Sequence, residues 1–211
     1  MTTEVIPSIL VYSADELAQR LKAVGTSAPV VQLDVLDKTL IPYEDFHDAD
    51  FIDGLKPEVS FEIHLMVRGA VDEIAKWNHP WVKKIIFHLE ADGDPAASCR
   101  QVRDLNKLVG IALSPQTPAK SALPLVHEVD TILVMTVEPG RNGAPFLPGM
   151  LAKVRALREA VPELNLEVDG GVNLQTLKSC AAAGANLFVV GSFLKNNKFV
   201  ENYQQLKQAL Q

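Results

Sequence analysis

The chain has 211 residues, of which 47% are hydrophobic and 22% charged, and its formal net charge is −6. This composition is typical of a globular protein, and its acidic balance argues against nucleic-acid binding. No apolar window is long enough for a transmembrane helix, and the N-terminal residues lack the pattern of a signal peptide. We therefore expect a cytoplasmic protein without a membrane partner, whose two cysteines, Cys99 and Cys180, stay reduced.

Short apolar runs alternate with amphipathic segments along the chain. The runs predict strands at residues 5–12, 30–36, 61–67, 84–89, 110–113, 131–137, 164–168 and 187–190. The segments predict helices at 14–24, 49–55, 70–77, 95–108, 118–126, 148–160, 174–183 and 199–210. Ser13 is expected to cap the first helix, and Pro118 and Pro148 are expected at first helical positions.

Eight β-then-α units in this length indicate the fold. Strands that alternate with helices favour a parallel sheet, and eight such units favour a closed barrel over an open sheet. The sequence therefore predicts an α/β protein with a single (β/α)8 TIM barrel. No linker or low-complexity segment interrupts the pattern, so residues 1–211 are expected to form one domain.

Polar side chains recur where the predicted strands end. The stretch 30–37 reads VVQLDVLD, in which Gln32 and Asp34 share one face of the strand. In a barrel the C-terminal strand ends share one rim, which is the default active site. The other rim positions are Ser8, His64, Met66, His88, Glu90, Ser114, Met135, the turn Pro139-Gly140, Asp169, Gly170, Gly171, Gly191 and Ser192.

Three of these side chains form a candidate metal site. Taken singly, Asp34 fits a loop or cap, His64 a core histidine and Asp169 an ordinary turn. Together, two carboxylates and one imidazole at equivalent strand ends can hold a divalent cation and leave a position open. We therefore expect Asp34, His64 and Asp169 to bind one metal ion.

The glycines after the last two predicted strands indicate a second ligand. Gly170-Gly171 and Gly191-Ser192 would let a phosphate approach the backbone amides of two helix N-termini, although tight turns alone also explain them. His88 and Glu90 fit a hydrogen bond or ion pair at the rim better than a catalytic role. Lys38 is interpreted as a loop charge close to the rim.

In chain order, these segments resemble the ribulose-phosphate 3-epimerase family over nearly the whole chain. The similar segments are PSIL at residues 7–10, DVLD at 34–37, HLMV at 64–67, HLE at 88–90, MTVEPG at 135–140, EVDGGVN at 167–173 and Gly191-Ser192. Each motif alone is weak, but the series in order at matching strand ends is fairly specific.

The resemblance implies a metal-dependent epimerase. It would interconvert D-ribulose 5-phosphate and D-xylulose 5-phosphate by two-base proton transfer through an enediolate. Asp34 and Asp169 would be the acid-base pair, and a divalent metal such as zinc, iron or manganese would be held by Gln32, Asp34, His64 and Asp169. The substrate would be bound by Ser8, His64, Met66, Met135, Gly140, Gly143, Gly170, Gly171, Gly191 and Ser192. The pathway would be the pentose phosphate pathway, and a homo-oligomer is expected.

The sequence departs from the family pattern at the centre of the site. Gln32 replaces a metal-binding histidine, and an amide oxygen is a harder ligand that suits zinc less well. Lys38 replaces a glycine and Leu36 a methionine. The glycine-rich loop after the sixth strand has Asn142 and Ala144 where the family has glycine and glutamine, and Arg141 adds a charge there.

These departures leave two alternatives open. One barrel hosts many functions through loop variation, so the substrate could be another ketose phosphate. The protein could also be a non-catalytic barrel that has lost metal affinity and binds a ligand or partner.

Overall fold

The computed structural model describes residues 2–91, 93–139, 143–195 and 197–211. Within these residues, parallel strands close into one barrel in sequence order, so the predicted (β/α)8 fold is confirmed. Pairing of β1 with β8, at Pro7 and Val190, closes the barrel. The strands are β1 (Glu4–Ile9), β2 (Val30–Val35), β3 (Ser60–Leu65), β4 (Val82–His88), β5 (Leu108–Leu113), β6 (Thr131–Met135), β7 (Asn165–Asp169) and β8 (Leu187–Val190).

Helical segments follow each strand and cover the outside of the barrel. They are α1 (Ala14–Val24), α2 (Ala49–Gly54), α3 (Ala70–Ile74), α4 (Pro95–Asp104), a 3₁₀ helix (Ala119–Leu125), α5 (Met150–Ala160), α6 (Leu177–Ala182) and α7 (Phe199–Ala209). Shorter 3₁₀ turns lie at Ala75–Trp77 and Ser192–Leu194. Ser13 caps α1 as predicted, because its side chain accepts a hydrogen bond from the backbone N–H of Glu16.

Several predicted boundaries are wrong by a few residues, and the local geometry explains the following ones. The helix expected at 95–108 ends at Asp104, because Asn106 has a positive φ of 57° and the chain turns there. Leu108 therefore starts β5. Pro118 and Pro148 precede their helices: Pro118 is extended before the 3₁₀ helix, and Gly149 stands between Pro148 and α5.

The two faces of the strands carry different side chains. Outward-facing residues such as Leu33, Ile63 and Phe87 are fully or almost fully buried in the main hydrophobic core, between the sheet and the helices. Inward-facing residues on the same strands include Gln32 and Glu62, which are also buried. The barrel interior is therefore partly polar.

Among the residues that the structure describes, no helix combines the length and apolar character that crossing a membrane requires.

Candidate active site

Barrel closure brings the predicted metal ligands into one cluster at the C-terminal ends of the strands. β2 supplies Gln32 and Asp34, β3 supplies His64 and β7 supplies Asp169. Asp34 and His64 are register partners of the β2–β3 pair, so their side chains point inward at the same level. Gln32, Asp34 and His64 are all buried, and the side chain of Asp169 is only 13% exposed.

The amide of Gln32 joins the two carboxylates. Its Nε2 donates hydrogen bonds of 2.8 Å to Asp34 Oδ1 and 2.8 Å to Asp169 Oδ2, and it lies 3.4 Å from His64 Nδ1. The amide oxygen of Gln32 is buried and has no hydrogen-bond partner among the described residues. Asp34 and Asp169 therefore meet at a single nitrogen atom, although they belong to strands far apart in the sequence.

The two carboxyl groups have different surroundings. Asp34 accepts a 2.9 Å hydrogen bond from Ser8 Oγ, and its Oδ1 lies 3.0 Å from His64 Nδ1. Asp169 Oδ2 is farther from the same imidazole nitrogen, at 3.5 Å. Burial raises the pKa of Asp169, and the charge of Asp34 adds to this effect against the hydrogen bonds from His64 and Gln32. The carboxyl group of Asp169 is thus protonated more readily than that of an ordinary aspartate.

His64 carries positive charge between the carboxylates. Burial opposes this charge, but hydrogen bonds to Asp169 and Asp34 outweigh the cost and raise the pKa of His64 to about 10. The imidazolium and the amide N–H groups of Gln32 together place positive potential on both carboxylates. A divalent cation would satisfy the same two groups.

The donor set fits a divalent cation. Asp34, His64 and Asp169 each offer one ligand atom, and these atoms lie within 4.8 Å of one another. Gln32 is compatible as a fourth ligand, because a 180° turn of its amide would exchange the bonded nitrogen for the orphaned oxygen. Two carboxylates, one imidazole and one amide oxygen suit zinc, iron or manganese.

A hydrogen-bonded chain runs from His64 away from the carboxylates. His64 Nε2 lies 3.0 Å from His88 Nε2, and His88 Nδ1 lies 2.9 Å from Glu90 Oε2. The expected pairing of His88 with Glu90 is thus present. Burial opposes the charge of Glu90, but the hydrogen bonds from His88 and Thr117 outweigh it and lower its pKa to about 2. Burial lowers the pKa of His88.

A cavity opens above the carboxylates at the barrel mouth. Met66 and Met135, both 3% exposed, form apolar walls beside Asp34 and Asp169. The remaining lining residues are Ser8, Leu10, Val137, Pro139, Gly143, Ala144, Gly170, Gly171, Gly191 and Ser192. The predicted substrate residue Gly140, together with Arg141 and Asn142, lies outside the described residues.

The glycines after β7 have a structural reason of their own. Gly170 and Gly171 have φ values of 112° and 67°, and a Cβ atom on Gly170 would lie 2.4 Å from Val137 Cγ2. Both glycine pairs precede helical segments, but at different distances. After β7, α6 begins only at Leu177, and after β8 a 3₁₀ turn of three residues follows Gly191. The residues of both pairs line the cavity.

Sequence reasoning missed a buried ion cluster beneath the site. Lys84 Nζ lies 2.7 Å from Glu62 Oε2 and 2.7 Å from Glu167 Oε2, and all three residues are at most 7% exposed. The signal was available in the period of two along each strand. Glu62 precedes His64 by two residues, and Glu167 precedes Asp169 by two, so both share the inward face.

Comparison with known proteins identifies the family. A sequence model described as the ribulose-phosphate 3 epimerase family matches residues 4–194. A ribulose-phosphate 3-epimerase of Mycobacterium bovis is 34% identical over 89% of this chain and 84% of its own. The cytoplasmic isoform of Oryza sativa subsp. japonica is 34% identical over 90% and 86%. The ribulose-phosphate 3-epimerase of Schizosaccharomyces pombe is 42% identical over 137 residues, which are 65% of this chain and 60% of the relative.

Solved structures agree at the level of the fold. The 3-hexulose-6-phosphate synthase of Salmonella typhimurium superposes with a TM-score of 0.70 at 14% identity and covers 98% of both chains. KGPDC of Streptococcus mutans superposes with a TM-score of 0.73 at 12% identity over 100% of this chain and 98% of its own. From the family match and the full-length relatives, this chain belongs to the ribulose-phosphate 3-epimerase family.

Proposed function

We propose that the protein interconverts D-ribulose 5-phosphate and D-xylulose 5-phosphate, two sugars that differ in configuration at carbon 3. Family membership supports the choice of reaction. The observation that carries the proposal is the convergence of Asp34 and Asp169 on one amide nitrogen, at 2.8 Å each, at the barrel mouth. Inversion of a carbon centre by proton transfer requires one group to remove the proton and another to return it on the opposite face.

The two carboxyl groups receive different roles from their surroundings. Asp34 accepts hydrogen bonds from Ser8 and Gln32 and lies 3.0 Å from His64 Nδ1, and these three contacts hold its carboxyl group in place as the proposed base. The pKa of Asp169 is raised by burial, which favours the protonated acid. In the reverse direction the two groups exchange roles. Proton removal beside the ketone leaves an enediolate, which Asp169 protonates on the other face.

A divalent metal held by Gln32, Asp34, His64 and Asp169 would supply the positive charge that stabilises the oxygens of the enediolate. Zinc, iron and manganese all suit this ligand set. Ser8 would keep Asp34 oriented, and Met66 and Met135 would exclude water from the reacting carbon.

The rest of the cavity would hold the remainder of the sugar phosphate. Gly170, Gly171, Gly191 and Ser192 line the cavity, and the phosphate is proposed to bind their backbone amides. Gly143 and Gly140, from the loop after β6, are proposed to cover the substrate. We further propose a cytoplasmic location in the pentose phosphate pathway and a homo-oligomeric assembly.

The test is isotope exchange on one protein sample. D-Ribulose 5-phosphate incubated in D₂O with the metal-loaded protein is expected to gain deuterium at carbon 3, as observed by NMR. Asp169→Asn should abolish formation of xylulose 5-phosphate, because an amide cannot deliver the proton to the opposite face of carbon 3. Asp53→Asn is the matched control, since Asp53 is a residue of α2 that accepts a hydrogen bond from Trp81 and lies outside the cavity. Formation of xylulose 5-phosphate by Asp169→Asn at the wild-type rate would contradict the assignment.

The same experiment separates the two alternatives. Deuterium uptake by another ketose phosphate but not by ribulose 5-phosphate would identify a different substrate for the same chemistry. A protein that binds no divalent metal after reconstitution and exchanges no substrate proton would be the non-catalytic barrel.

A further inference from the structure

The contacts of Glu90 determine which atoms donate and which accept in the series of hydrogen bonds from Glu90 through His88 to His64. Glu90 Oε1 accepts the backbone N–H of Ser114 at 3.0 Å and the hydroxyl of Thr117. Its other oxygen, Oε2, lies 2.9 Å from His88 Nδ1. A carboxylate only accepts hydrogen bonds, so His88 Nδ1 must carry the proton.

That proton fixes the next link. With its Nδ1 protonated, a neutral His88 has a bare Nε2 that can only accept. The 3.0 Å contact between His88 Nε2 and His64 Nε2 requires one donor, which is then His64. The proton on His64 is therefore held at Nε2, on the side away from the carboxylates. Its Nδ1 faces Asp34 and Asp169, so it is the nitrogen that gives up its proton when a cation takes the place of that proton between the carboxylates.

We propose that Glu90, acting through His88, is a positioning residue that keeps His64 Nδ1 available to the metal. This inference rests on the metal site of the proposed function. Metal-binding histidines commonly donate their other N–H to an acceptor that fixes the ring and tautomer. Here the acceptor is a second histidine, and its own state is set by the carboxylate of Glu90.

Glu90→Gln is expected to reverse the donors and acceptors in this series of hydrogen bonds with almost no change in side-chain shape. The N–H of Ser114 and the hydroxyl of Thr117 hold an acceptor at the Oε1 position, so the amide oxygen belongs there. The amide NH₂ then faces His88 Nδ1 and donates to it. His88 then carries its proton on Nε2 and donates it to His64 Nε2. His64 Nε2 must therefore be unprotonated, so the proton of His64 lies on Nδ1, where it prevents a cation from binding.

The first measurement is ¹⁵N NMR of the imidazole nitrogens in the metal-free protein. Wild-type His88 is expected as the Nδ1–H form, and Glu90→Gln is expected to convert it to the Nε2–H form. This readout requires neither activity nor metal, so it stands even if the proposed reaction is wrong. An unchanged His88 tautomer in Glu90→Gln would overturn the inference.

The second measurement is Zn²⁺ affinity, obtained by competition with a chelator. We expect Glu90→Gln to lose about tenfold or more, the usual size of an effect from a group behind a metal ligand. Glu90→Ala removes the acceptor without adding a donor, so it should lose less. A role in packing alone predicts the opposite order, with the truncated variant weaker, and that order would refute the proposal. Glu73→Gln is the control expected to match wild type, because Glu73 lies on α3, pairs with Lys76 and does not line the cavity.

Discussion

At the scale of single residues, Gln32 is the side chain that joins the two carboxyl groups of the site. Its amide nitrogen donates to both carboxylates, and its amide oxygen is buried without a partner among the described residues. An orphaned buried acceptor costs about 1–3 kcal/mol. A bound cation would favour a 180° turn of the Gln32 amide, after which the amide oxygen would face the cation and no longer lack a partner.

Gln32→His is expected to tighten zinc binding by about tenfold or more, because imidazole is a better zinc ligand than an amide oxygen. Chelator competition measures the affinity. Gln101→His is the matched control, since Gln101 is on α4 and bonds the backbone of Val71. If zinc affinity stays at the wild-type value in Gln32→His, residue 32 does not bind the metal.

The cluster of Asp34, His64 and Asp169 could be predicted from sequence because strand ends share a rim and side chains alternate along a strand. The double hydrogen bond from Gln32 could not, because it depends on the distance between β2 and β7 after closure. The metal roles of these residues remain predictions.

At the scale of secondary-structure elements, the strands carry charge into the barrel interior. Lys84 on β4 contacts Glu62 on β3 and Glu167 on β7. Burial opposes the charge of Lys84, but the two glutamates outweigh it and raise its pKa. Burial and the neighbouring Glu167 raise the pKa of Glu62 well above that of an ordinary glutamate.

Lys84→Met should destabilise the protein by about 3–5 kcal/mol, because it leaves two buried carboxyl groups without a cation. Urea denaturation followed by circular dichroism measures the change. Replacing all three residues by apolar ones, as Lys84→Met, Glu62→Leu and Glu167→Leu, should recover most of the loss. A loss below about 1 kcal/mol in Lys84→Met would show that water or a proton compensates the cluster.

Most helices and strands could be predicted from the alternation of apolar runs and amphipathic segments, but the residues at which they begin and end could not. Leu108 continued the apolar pattern of α4, whereas the positive φ of Asn106 ends the helix region and frees Leu108 to start β5. Turn geometry of this kind is set by a single residue and is weakly encoded in periodicity.

At the scale of the whole molecule, the closed barrel joins the two ends of the fold. β1 pairs with both β2 and β8, and the hydroxyl of Tyr203 on α7 donates to the backbone oxygen of Val5. We propose that residues 1–211 form one domain, since the outer hydrophobic core is continuous around the barrel.

A single domain is expected to unfold in one transition. Circular dichroism, fluorescence of the buried Trp77 and Trp81, and labelling of the buried thiols of Cys99 and Cys180 should share one midpoint in urea. These probes report on the whole fold, on the segment around the start of β4, and on α4 and α6. Separate midpoints would show that parts of the barrel unfold independently.

The bond from Gln32 to Asp169 spans 137 residues of sequence. Contacts of such long separation form late, because the intervening chain must first be ordered. A partly folded chain in which β2 and β7 are still apart therefore lacks the proposed metal site. During refolding, the return of zinc affinity should coincide with the slowest structural phase. Zinc binding would then report when the barrel has closed.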